Sequence, residues 1–102
     1  MVWFWPSWLR RRPLALAETT IVLYSRAGCH LCDDAVAILA ERKQRYGFRL
    51  DVIDVDGDAR LVEQFGNCVP VVTVNGKVRF RGRIEPALLD RLLVGELGGP
   101  TR

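Results

Sequence analysis

Ile21-Val22-Leu23-Tyr24-Ser25-Arg26-Ala27-Gly28-Cys29-His30-Leu31-Cys32 is the stretch on which the fold turns. Residues 21–24 are a short, continuous, β-rich apolar run, the pattern of a strand covered on both faces. The run stops at Ser25-Arg26-Ala27-Gly28, a loop that delivers a glycine immediately before a Cys-x-x-Cys pair. Helical spacing takes over there: Leu31, Ala35, Ile38 and Leu39 fall on one face, and Gly47 is placed to stop the helix. Phe48 to Val55 then alternates as a second strand. Strand, helix, strand at this spacing is a βαβ unit, which predicts two parallel strands joined by a right-handed crossover.

Further along, Asp56-Gly57 turns the chain, and Asp58 is positioned to cap a short helix from Ala59 to about Phe65. Gly66-Asn67-Cys68-Val69-Pro70 breaks that helix. Val71 to Val74, Asn75-Gly76, and Lys77 to Phe80 read as a hairpin, because Asn-Gly suits a two-residue turn between β-rich runs. This predicts Val78 and Phe80 on the core side, with Lys77, Arg79 and Arg81 opposite. A last helix carries Pro86 in its first turn and an apolar stripe of Leu88, Leu89, Leu92 and Leu93, with Gly95 and Gly98-Gly99-Pro100 ending it. The order is β-α-β-α-β-β-α: an α/β chain whose four-stranded mixed sheet is flanked by three helices. One domain is expected over residues 19–97, preceded by an extension over residues 1–18.

Composition narrows the function classes. The 102 residues carry a net charge of +3, and Arg10, Arg11 and Arg12 account for all of it. From residue 13 onward acidic and basic residues balance, so a nucleic-acid partner is not expected. Three cysteines are too few, and odd in number, for a disulfide-stapled secreted scaffold. A close pair plus one extra cysteine points to redox or metal chemistry in a reducing compartment, by default the cytoplasm. The first twelve residues hold Trp3, Phe4, Trp5 and Trp8 ahead of the three arginines; they read first as a loose extension or one whose rings pack on the domain, and second as a weak peripheral contact with an anionic membrane surface. The positive charge follows the apolar residues, the reverse of a secretory signal.

The pair Cys29 and Cys32 carries the chemistry. Residues at i and i+3 of a helix start lie about 5–6 Å apart at their β-carbons, close enough for a disulfide after small adjustments. Cys29 precedes the first turn, where unpaired N–H groups and the helix dipole favour a thiolate nucleophile. Cys32 lies within that turn, placed to attack a mixed disulfide on Cys29 and release the substrate. Arg26, and His30 when protonated, would lower the Cys29 pKa, whereas Asp33 and Asp34 oppose a thiolate. A structural zinc site would need a second Cys/His pair that the sequence lacks. Asp54-Val55-Asp56-Gly57-Asp58 has its glycine in the wrong place for a calcium loop. Cys68 reads as a small buried residue or as an auxiliary thiol.

Gly-Cys-x-x-Cys at a helix start, followed by Val69-Pro70 before a hairpin, resembles the thioredoxin superfamily. Cys29-His30-Leu31-Cys32-Asp33-Asp34-Ala35, Val55-Asp56 and Val69-Pro70-Val71-Val72 resemble its glutaredoxin-like branch over residues 20–94. The resemblance implies a thioredoxin-like fold, a cis peptide at Pro70 facing the cysteine pair, and Val69 offering its backbone to an extended substrate such as glutathione. It also implies a thiol–disulfide oxidoreductase with no obligatory cofactor, acting as a monomer on glutathione, on protein disulfides, or on both. The chain departs from typical glutaredoxins in lacking Cys-Pro-Tyr-Cys. It also has Arg81-Gly82-Arg83-Ile84-Glu85 where a Gly-Gly and an acidic residue grip glutathione. An iron–sulfur or metal-carrying module, and a redox-sensing adapter without turnover, are the alternatives that the residues leave open.

Overall fold

The computed structural model describes residues 16–97. Strand β1 (Thr20–Ser25) leads into helix α1 (His30–Tyr46), β2 (Arg49–Asp54), a 3₁₀ turn (Val55–Gly57) and helix α2 (Ala59–Phe65). The hairpin β3 (Val71–Val74) and β4 (Lys77–Arg81) follows. Helix α3 (Pro86–Arg91) comes last and runs on as a π-helical turn over Leu92–Glu96. The sheet order is β2-β1-β3-β4. β1 is parallel to β2, Thr20 opposite Arg49 through Ser25 opposite Asp54. β3 is antiparallel to both β1 and β4. This is the expected four-stranded mixed sheet with three helices.

Local signals behave as their chemistry dictates. Gly47 ends α1 in the left-handed region at φ 83°, its N–H donating to the Lys43 carbonyl at 2.8 Å. The Asp58 carboxylate accepts from the Arg60 N–H at 2.9 Å and caps α2. Asn75 and Gly76 both have positive φ, 51° and 88°, as a two-residue type I′ turn demands.

The sheet separates two apolar clusters. The larger packs Ile21, Leu23, Val72 and Val74 against Ala35 and Leu39 of α1 and Leu89, Leu92 and Leu93 of the last helix. The smaller joins Val55, Phe65 and Val71 with Tyr24, whose ring lies 4.6 Å from that of Phe65. Leu16, three residues ahead of the expected domain start, is buried in the larger cluster, and its N–H donates to the Tyr46 carbonyl at 3.2 Å. The expected membrane contact of residues 1–12 lies outside the described residues. Among those described, no helix is long and apolar enough to cross a membrane.

Three side-chain placements and one helix end differ from the sequence expectation. Val78 and Phe80 face opposite sides of the sheet, because Val72 pairs with Phe80 and Thr73 with Val78, leaving Arg79 as a bulge. Phe80 packs on the larger cluster and Val78 on the smaller. Leu31 is 44% exposed, and the buried stripe of α1 begins instead at Cys32. Leu88 is 48% exposed, since the core takes Leu89 from α3 and Leu92 and Leu93 from the π turn. Gly95 does not end the helix but lies inside the π turn, which rotates the backbone by an extra residue.

Candidate functional site

Strand register sets the site. β1 and β3 pair up to Tyr24 opposite Val71, so the loop leaving β1 and the segment entering β3 meet at one end of the sheet. The first carries Arg26 to Cys29 and the second Cys68 to Pro70. Gly28, at φ 75°, turns the chain into α1, with Cys29 as the N-cap. The Cys32 N–H donates to Cys29 Sγ at 3.1 Å, so one of the orphan amide groups of the first turn is aimed at the sulfur. Cys29 and Cys32 are joined as a disulfide with their α-carbons 5.1 Å apart. Cys29 is half-buried, Cys32 is 2% exposed, and His30 between them is exposed.

The facing segment is fixed from several sides. The Val69–Pro70 peptide is cis, as the sequence resemblance implies. Pro70 is fully buried and Val69 half-buried. The Gly82 N–H donates to both the Pro70 carbonyl at 2.7 Å and the Cys68 carbonyl at 3.0 Å, tying this segment to the end of β4. Cys68 is a free, half-buried thiol with Arg81 Nη1 3.8 Å from its sulfur.

Arg26 contacts partners that local sequence does not reveal. Its Nε donates to both carboxylate oxygens of Asp56 at 3.1 Å, its Nη2 to Asp56 Oδ1 at 2.8 Å, and its Nη1 to the Gly66 carbonyl at 3.0 Å. The hydrogen bonds from Arg26, reinforced by its charge, hold the Asp56 carboxyl below the ordinary carboxylate range. The same pairing raises the Arg26 guanidinium above its usual value. One signal could have pointed to Asp56. Parallel strands in register bring the residues just beyond their C-terminal ends together, here Arg26 after β1 and Asp56 after β2.

Beside α1 a shallow groove of about 460 Å³ is lined by Leu31, Asp34, Ile38, Arg83, Ile84 and Pro86, among others. Arg83 Nε lies 3.8 Å from Glu85 Oε2 at the surface. Among the described residues no cluster of three or more His, Cys, Asp or Glu could hold a metal ion.

A family described as "Glutaredoxin-like domain (DUF836)" matches residues 20–94. A probable thioredoxin of Methanothermobacter thermautotrophicus is 32% identical over 65 residues, covering 61% of this chain and 76% of that protein. The solution structure of a Nitrosomonas europaea protein superposes with a TM-score of 0.61 at 28% identity, covering 71% of this chain and 87% of that one. A mutant thioredoxin from Halobacterium salinarum superposes with a TM-score of 0.60 over 84% of this chain and 80% of its own. At 16% identity that likeness speaks for the fold alone.

Proposed function

The chain belongs to the glutaredoxin-like family, and from that membership we propose that it is a thiol–disulfide oxidoreductase working by dithiol exchange through Cys29 and Cys32. The observation that carries this reading is the asymmetry of the pair. Cys29 caps a helix, with a backbone N–H 3.1 Å from its sulfur, while Cys32 is buried behind it. A donor at that sulfur favours the thiolate, and the thiolate is the attacking species.

In the proposed reaction the Cys29 thiolate attacks one sulfur of a substrate disulfide. A Cys29–substrate disulfide forms and the other substrate sulfur leaves as a thiolate. Cys32, as thiolate, then attacks Cys29 Sγ, forming the Cys29–Cys32 disulfide and expelling the second substrate thiolate. Two electrons pass to the substrate, and an external thiol reductant returns them. Glutathione is the proposed reductant or co-substrate, with protein disulfides as the other substrate class. Val69 and Pro70 form the docking wall in this reading, with His30 at its rim. The reducing cytoplasm is the compartment that suits the cycle.

A disulfide reductase assay coupled to glutathione, run on the parent protein, Cys29→Ser and Cys32→Ser, tests the proposal. Cys29→Ser should be inactive, and Cys32→Ser should accumulate a mixed disulfide or keep partial activity. Full activity in Cys29→Ser would refute the assignment. Failure with glutathione, combined with insulin reduction when thioredoxin reductase is supplied, would remove glutathione and leave the dithiol chemistry standing.

A further inference from the structure

We propose that Arg26 is a positioning residue: locked by Asp56, its guanidinium grips the Gly66 carbonyl and so sets the Cys68–Pro70 wall in place relative to the Cys29 loop. The inference rests on the dithiol-exchange reading above. Arg26 lies three residues before Cys29, and Gly66 lies four residues before Pro70. One rigid planar fork therefore spans the two segments that a docked disulfide must touch together.

Each anchor is itself held. The Asp56 N–H donates to Asp54 Oδ1 at 2.9 Å within the 3₁₀ turn, and the neighbouring Val55 is completely buried. Gly66 is buried, and its N–H donates to the Val62 carbonyl at 2.8 Å. The Gly66 carbonyl follows the last turn of α2, where carbonyls lack helical partners, and the guanidinium supplies one. Tyr24 of β1 and Phe65 of α2, the residues two before Arg26 and one before Gly66, meet in the smaller apolar cluster with ring centroids 4.6 Å apart. With the Asp56 carboxylate in a bidentate contact, the Arg26 charge is spent locally on geometry. A lysine, as a single point charge, cannot reproduce two donors to Asp56 and a third to Gly66.

The test is a double-mutant cycle of Arg26→Gln, Asp56→Asn and the pair, with Arg26→Lys beside it. Every variant is assayed well below its thermal transition. Exchange with a peptide disulfide that must dock is compared with exchange with the small aromatic disulfide dithionitrobenzoate. Positioning predicts that kcat/KM for the peptide falls about tenfold in each single variant, Arg26→Lys included. The double variant should be no more than about twofold worse than the weaker single, because both act through one unit. The dithionitrobenzoate rate should stay within about twofold of the parent, a selectivity that simple loss of folded protein would not produce.

A second measurement separates positioning from a direct effect of charge on the sulfur. In a Cys32→Ser, Cys68→Ser background, the midpoint pH for alkylation of Cys29 should be the same with Arg26→Gln and with Asp56→Asn. Midpoints moving in opposite directions, or recovery of peptide exchange by Arg26→Lys, would overturn the proposal. Undiminished exchange in Arg26→Gln would overturn it alone, whereas a parent protein inert toward every disulfide would overturn the proposed function and this inference with it.

Discussion

Gly66→Ala is the most informative single change, because the structure fixes how much room a methyl group would have. A Cβ built at Gly66 falls 2.5 Å from the Val62 carbonyl oxygen and 3.2 Å from Val62 Cγ1. Carbon and oxygen settle at roughly 3.3 Å, so the chain must give by about 0.8 Å. The oxygen cannot simply retreat, since it accepts the Gly66 N–H at 2.8 Å. Crowding of this kind costs about 1–3 kcal/mol. Replacing glycine also narrows the unfolded ensemble and returns about 0.4–1 kcal/mol, so at the middle of both ranges the clash wins by about 1.3 kcal/mol. For a domain of this size that lowers the melting temperature by about 5–10 °C. The Gly66 carbonyl, which shifts when Gly66 itself is pushed off Val62, is the acceptor for Arg26 and leads into the Cys68–Pro70 wall, so exchange with a docked peptide disulfide should fall about fivefold or more. Circular-dichroism melts and exchange kinetics below both transitions measure the two effects. A Gly66→Ala protein that melts at or above the parent and exchanges at the parent rate would refute the steric reasoning.

Acid should unfold the protein partly through its paired carboxylates. The pKa values of Asp56, Glu41 and Glu96 are lowered, first by hydrogen bonds from Arg26, Arg45 and Arg79 respectively. A depressed native value makes their contribution complete near neutral pH and removes it as pH falls from about 4 through that native value. Asp56→Asn should therefore flatten the stability-versus-pH curve between about pH 5 and 2, followed by urea unfolding at stepped pH. An unchanged slope would count against the Arg26 pairing. Pelleting with vesicles rich in phosphatidylserine, lost on deletion of residues 1–12 and weakened by salt, would assign that segment a weak peripheral membrane contact in place of a plain extension. Equal pelleting with and without the segment would dismiss that role.

The local grammar of the chain was legible wherever a residue acts on its own backbone. Gly47, Asp58 and Asn75-Gly76 each perform the stop, cap or turn that their chemistry suggests. The βαβ periodicity likewise anticipated the parallel pairing of β1 and β2. What escaped was set by partners distant in sequence. Alternation alone could not reveal that an extra residue at Arg79 sends Val78 to the other face. Leu31 satisfies helical spacing as well as Cys32 does, and only tertiary packing decides which of them is covered. Sequence places Arg26 near Cys29, while its hydrogen bonds run to Asp56, 30 residues away, and Gly66, 40 residues away.

The bulge at Arg79 also bears on how these molecules behave when crowded. β4 is an outer strand, and an outer strand invites a foreign strand to continue the sheet. Here the outer row of amides is kinked at Arg79, and Lys77 and Arg81 stand exposed on either side. Arg79 is also drawn toward Glu96 of the last helix by two hydrogen bonds of 2.9 and 3.0 Å. A second copy approaching that rim meets like charge and a broken template, a built-in deterrent to fibrous self-association.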